Sequence, residues 1–441
     1  VNPIFLVLSL VVLVAQFALP RRWAFLPLLI GTLHFQNVAV VQVGVAFTIT
    51  KLVIVAGLFR AMRDGSFECS RRQPLDMLVL AWAIWMILSG FTHNPRDHNP
   101  ITVRLSQIYG YVGSYFYARC FLKSPEDFLR FCKALAVVVA PLALVVFYEK
   151  LALNNIYEWL GQGGQEVTVR NGKMRATGAF SNPILLGTFG ATASVLMAPL
   201  YRTDKKWCII GLLACAIIVF SSASSGPIVT LASALMALTL WRWRSSVGRI
   251  RTLVIATFIV LHISMQAPVW YLMARIDLAG GSTGWHRAEL ITTALNHLNE
   301  WWLTGTDYTR HWIAYGVAWS TEHIDITNHY LYMGIVGGLP LMLLFIAILL
   351  KSFQLLGRAM RPLRKAKDPR ELILWVVGAS LFAHCFTFLS VSYYDQSYVP
   401  LCIAIGAVPA LCAVTKLTRQ GHPEPQNAAT PEKAGLAAGA S

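Results

Sequence analysis

Apolar runs of roughly 13 to 22 residues, parted by short polar stretches, recur along almost the whole chain. They fall at about 3–19, 23–35, 38–59, 75–92, 101–122, 135–148, 183–200, 207–221, 227–240, 253–272, 329–350, 372–390 and 399–414. A bilayer-crossing helix needs about 20 mostly apolar residues. The pattern therefore predicts an all-α polytopic membrane protein with about 12 or 13 transmembrane helices, the count turning on the short second run. The first run has no charged segment and no small-residue cleavage signal before Arg21, so it reads as a retained span. No internal repeat is evident, which disfavours transporter folds built from paired halves.

The polar stretches alternate in sign. One set carries Arg60, Arg63, Arg71 and Arg72, then Lys123, Arg130 and Lys133, then Arg202, Lys205 and Lys206. It continues with Arg242, Arg244, Arg249 and Arg251, and ends on the cluster Arg358, Arg361, Arg364, Lys365, Lys367 and Arg370. The positive-inside rule makes these cytoplasmic. The other set is 92–100, 149–182, 273–328 and 393–398, and acidic residues outnumber basic ones in the third and longest. That places residues 273–328 as a large outward-facing loop within one transmembrane domain spanning 1–416. Residues 417–441, rich in Pro, Ala and Gly, read as a disordered cytoplasmic tail.

Composition sharpens this picture. Of 441 residues, 56% are apolar and 13% charged, about half the charged fraction of an ordinary soluble domain, and the mean hydropathy is +0.55. The net charge of +16 raises nucleic acid as a partner, but the basic residues sit between apolar runs rather than on one soluble face, so none is expected. The eight cysteines lie in spans or inward loops and show no metal-type spacing, which argues against a disulfide framework.

Loops longer than about 15 residues are usually functional or disordered, and 273–328 lacks a disordered composition. It holds Trp285, Trp301, Trp302, Trp312 and Trp319. The stretch WHRAELITTALNHLNEWWL predicts a surface helix with an apolar stripe of Leu290, Ala294, Leu295 and Leu298 and tryptophans at the membrane interface. Arg287, near its start, is where topology asks for no positive charge. It either pairs with Glu289 or a lipid phosphate, or holds a phosphate or pyrophosphate by its fork. Arg175 is a second candidate for the same site. His329 opens the span after the loop and is either a polar cap or a general base working near neutral pH. Gly334, Gly337 and Gly338 permit close packing behind it.

Other features carry less. His323 with Asp325 resembles a metal pair, but two ligands make a poor site. Arg104 and Arg119 sit near the ends of one span, where snorkelling accounts for them. Lys51 is deeper in its helix and is expected to face the bundle interior. The chain has no Walker loop, no GxGxxG and no DxD pair, so no cofactor and no metal are expected.

The order of RATGAFSNPILLG (175–187), the turn SSASSGP, the WHRAEL helix, LTGTDY and NHYLYMGIVGGLP (328–340) resembles the bacterial O-antigen ligases and the Wzy-type O-antigen and exopolysaccharide polymerases. The likeness covers 175–350; elsewhere it is hydropathy alone. Two departures stand out: Ile184 replaces the second asparagine of an NPN, and Pro227 stands near where an arginine often follows the serine-rich turn. The resemblance implies a glycosyltransferase of the bacterial inner membrane, acting at its periplasmic face. The donor it implies is an undecaprenyl-pyrophosphate-linked glycan, and the acceptor a lipid-linked glycan or lipid A core. Reaction would be metal-independent and inverting, with His329 as general base, Arg175 and Arg287 clamping the pyrophosphate, and Asn182 and Asn328 positioning substrate. The form of the 175–187 motif leans towards a polymerase over a ligase. The competing class is a lipid-linked oligosaccharide flippase or another polysaccharide-export transporter, which predicts charged or broken helices near the midplane.

Overall fold

The structure is a computed structural model; it describes residues 2–35, 39–43, 45–65, 73–94, 99–159, 168–170, 172–275, 284–313 and 320–420. It is 78% helical, with two short antiparallel hairpins, Ala39–Val43 with Val45–Thr48 and Thr168–Arg170 with Lys173–Arg175, among the described residues. Among the described residues, four helices are long and apolar enough to cross a membrane: Pro125–Ala152, Val247–Ser264, His329–Lys365 and Arg370–Thr387. Shorter apolar helices cover Pro3–Ala18, Pro74–Gly90, Pro183–Met197 and Tyr398–Ala413.

Helix starts follow local chemistry. Proline stands in the first turn of Pro100–Phe121, Pro125–Ala152 and Pro183–Ser194, where its missing N–H removes no helical bond. The residue before each caps it: Asn99 Oδ1 accepts from Ile101 N at 2.9 Å, Ser124 Oγ from Asp127 N at 3.2 Å and Asn182 Oδ1 from Ile184 N at 2.8 Å.

Three predicted spans differ from the structure; the run at 253–272 gives the helix Val247–Ser264, which stops short and is followed by the separate short turn Val269–Arg275. The run at 23–35 yields the nine-residue helix Phe25–Leu33, about 14 Å long and well short of a bilayer core. The run at 38–59 divides into the first hairpin and the helix Ile49–Arg63, because its β-branched opening pairs as strands. The final helix continues to Gln420, past the predicted start of the tail. Cys69, Arg71, Arg72, Trp319 and the remainder of the tail lie outside the described residues.

The long loop is folded rather than laid on a surface. Its predicted helix is two pieces, Gly284–Asn296 and Leu298–Trp301, parted at His297. Leu290 and Ala294 are buried as predicted, but so are Trp301 and Trp312, which join Ile313 and Ile324 in a small core. That core packs on Leu331 and Ile335 at the start of the His329–Lys365 helix. Trp285 and Trp302 remain exposed, and so does Leu295 of the predicted stripe.

Candidate functional site

Beneath this folded loop lies a cavity of about 710 Å³, within the range of small-molecule sites. Its walls come from the loop, the Pro100–Phe121 helix, the first turns of the Pro183 and His329 helices, and residues 390–394. A break in the His329–Lys365 helix shapes it. Gly337 and Gly338 leave helical geometry, Gly338 with φ +74°. A Cβ there would stand 2.1 Å from the Leu303 carbonyl oxygen, so the loop backbone and the broken helix meet at glycine. Three carbonyls at the break are taken by donors from elsewhere: Ile335 O by Thr306 N at 2.9 Å, Val336 O by Arg104 Nη2 at 2.5 Å, and Gly337 O by Trp85 Nε1 at 2.7 Å.

Three arginines, Arg104, Arg170 and Arg287, line this cavity. The Nε atoms of Arg104 and Arg287 are buried and have no hydrogen-bond partner among the described residues. Burial disfavours the charged form of Arg287, and Asp325 partly offsets this. Asp325 also lines the cavity, and burial raises its pKa against the opposing pull of His286 and Arg287. His93 bridges the wall, with Nδ1 2.5 Å from Asp307 Oδ1 and Nε2 2.7 Å from the Thr304 carbonyl oxygen. Both of its ring nitrogens thus face oxygen acceptors, and neither is open to take a proton from a substrate. His323 lines the wall with Nδ1 3.2 Å from Thr309 Oγ1.

No protein-family model and no curated protein matches the chain. The site therefore stands on its own geometry.

That geometry divides the residues singled out from sequence. Arg287 and Asn182 reach the cavity. Arg175, Asn328 and His329 stand behind its wall. Arg175 is buried against the serine-rich turn, its Nη2 donating to Ser224 Oγ at 2.7 Å and its Nε to Ser222 O at 3.4 Å. Asn328 caps its helix, accepting from Leu331 N at 3.1 Å. The His329 ring is 0% exposed, boxed by Phe345, Phe388, Tyr393 and Tyr332, and its Nδ1 accepts from Tyr393 N at 3.2 Å. Tyr332, stacked on it at 5.7 Å, presents itself to the cavity instead. The expected convergence of His329, Arg175 and Arg287 is thus replaced by Arg104, Arg170, Arg287 and Asp325.

Sequence reasoning missed Arg104 and Arg170. Arg104 turns inward to the helix break rather than snorkelling, while Arg119 pairs with Asp76 at 3.2 Å. Arg170 ends the first strand of the short hairpin and pairs with Lys173, on the strand that ends at Arg175. Lys51 is buried as expected, bonded to Ser106.

Proposed function

We propose that this chain is a membrane-embedded glycosyltransferase that uses an undecaprenyl-pyrophosphate-linked glycan as donor at the periplasmic face of a bacterial inner membrane. A polymerase of exopolysaccharide or O-antigen is favoured over a ligase to lipid A core. The observation that carries the reading is the set of three arginines on one cavity, two of them with buried, unpartnered Nε atoms. A buried guanidinium Nε–H without an acceptor favours an anion, and a pyrophosphate can satisfy several forked donors at once. In the proposed step an acceptor hydroxyl attacks the anomeric carbon with inversion and the bond to the pyrophosphate oxygen breaks. Arg104, Arg170 and Arg287 stabilise the charge that develops on the leaving diphosphate. Asp325 takes the hydroxyl proton, since a carboxylate with a raised pKa inside the cavity is better placed than the enclosed His329.

The broken helix is the one feature that favours transport instead. Three carbonyls at the break, of Ile335, Val336 and Gly337, are however bonded to protein donors, which weighs against their coordinating a coupling ion. The deciding experiment incubates purified, lipid-reconstituted protein with a defined undecaprenyl-pyrophosphate oligosaccharide, with and without lipid A core. Longer lipid-linked products support the polymerase and glycosylated core the ligase. Movement of intact donor across the bilayer, with no bond cleaved, would replace both with a flippase.

A further inference from the structure

Away from the cavity, the folded loop gathers a second set of chemically competent side chains. His297 lies at the junction between the two loop helices, Glu300 one turn later, and His311 on the short turn Arg310–Trp312. One ligand atom from each lies within 4.8 Å of the others. His311 Nε2 is 3.1 Å from Glu300 Oε1, close to the edge of a zinc tetrahedron built on bonds of about 2.0 to 2.2 Å. The supporting contacts match those of metal ligands. His297 Nδ1 is 2.8 Å from the Thr293 carbonyl oxygen, so it carries the proton and leaves the Nε2 lone pair outward. Glu300 Oε2 accepts from Trp312 Nε1 at 2.9 Å, which fixes the carboxylate while Oε1 remains for a metal. Stacking orients both rings, His297 on Trp312 at 5.5 Å and His311 on Tyr308 at 5.1 Å. Two imidazoles and one carboxylate, with the fourth position left to water, suit a divalent transition ion and not magnesium or calcium.

We infer that His297, Glu300 and His311 form a zinc site that staples the loop helices to the segment forming one cavity wall. The link is direct. Thr309 N and Arg310 N both donate to Glu322 O at 3.0 Å, and Ile324 N donates to Thr309 Oγ1 at 3.2 Å. Fixing His311 therefore fixes the stretch that holds His323 and Asp325. The ion takes no part in the proposed transfer and lies outside the cavity lining.

The test uses tag-free, full-length protein, stripped with a chelator and titrated with Zn²⁺ and with Co²⁺ as a spectroscopic probe. One zinc per chain is expected, with tetrahedral Co²⁺ absorption, and zinc should raise the melting temperature. His297→Ala and His311→Ala should each weaken binding by more than the 10- to 100-fold that loss of supporting contacts brings, and Trp312→Phe by about 10-fold. His311→Cys keeps a ligand and should retain binding where His311→Ala loses it, which separates lost coordination from lost folding. Absence of saturable binding, binding indifferent to His297 and His311, or a thiolate band in the unsubstituted protein would each overturn the assignment.

Discussion

At the scale of single residues, the proposed chemistry rests on Arg287 and Asp325, which face each other across charge and burial. Removing one preorganised donor from a developing anion lowers turnover by about 100- to 1,000-fold, and Arg287→Ala should do so in a defined-donor assay. Arg287→Lys should recover only part of the loss, because an ammonium keeps the charge but not the fork. Asp325→Asn should abolish transfer yet raise the melting temperature. The sign follows from linkage: burial lifts the Asp325 pKa above its ordinary 3.8. The fold therefore binds this proton more tightly than the unfolded chain does. Stability drops as pH climbs from 3.8 through the folded-state value, and the deficit persists at neutral pH until the amide removes it. By the same shift, the rate should fall on the acid side at a higher pH than an exposed aspartate would give. A melting temperature lowered by Asp325→Asn would contradict this account. Arg287 was legible because a cation stood where topology asked for none. His329 was misleading because a histidine behind an Asn cap looks alike in sequence whether it meets a cavity or an aromatic box. What decides is Tyr332, a turn later, which occupies the cavity wall in front of it. Arg104 was not readable at all, since its acceptor, Val336 O, is freed by a helix break more than two hundred residues away.

At the scale of elements, hydropathy reveals the long helices but not their interruptions. The apolar run from 38 to 59 hides a hairpin, and the run beginning at His329 hides the break at Gly337–Gly338. Of the glycines expected to allow close helix packing, Gly337 does lie against Ser89 of the Pro74–Gly90 helix, while Gly334 and Gly338 admit the loop at Trp301 and Leu303 O; Gly305, with φ +95°, lies likewise against Ile335 O. Gly338→Ala should therefore destabilise the protein by at least about 1 to 2 kcal/mol from backbone handedness alone. The collision with Leu303 adds to that. Thermal unfolding in detergent would measure the loss, and activity should fall with it because Arg104 is bonded to the carbonyl next to the break. An unchanged melting temperature would mean that the loop does not seat on this helix. Val247–Ser264 makes a contrasting case: none of its 18 residues is buried. A helix so apolar and so exposed is untenable in water, and hydrocarbon is the solvent that suits it. Phe258, 52% exposed near its middle, should on replacement by arginine raise the cost of membrane insertion by roughly 3 kcal/mol.

At the scale of the whole molecule, the His329–Lys365 helix connects the two kinds of chemistry. Its first turns form the cavity wall, and its far end carries Arg358, Arg361, Arg364 and Lys365. Glu371, 3% exposed, gathers Arg364 at 2.7 Å and Arg244 at 3.2 Å there, so the basic end is a built structure rather than a loose charge run. Beyond the break, Leu339 to Lys365 extends about 40 Å at 1.5 Å per residue, longer than a hydrocarbon core of about 30 Å. The cavity and the basic cluster consequently belong on opposite sides of any bilayer that this helix crosses, and the proposed orientation, with the cluster in the cytoplasm, is the one the positive-inside rule favours. A cysteine introduced at Thr321, exposed on the cavity side, should react with a membrane-impermeant maleimide in intact spheroplasts. One at Ala366, exposed beside the basic cluster, should react only after the membrane is opened. The native cysteines within the described residues are all buried or half-buried, so with Cys69 replaced by serine background labelling should stay low. The reverse pattern would turn the arginine-lined cavity towards the cytoplasm, and the proposed transfer at the periplasmic face would fail with it.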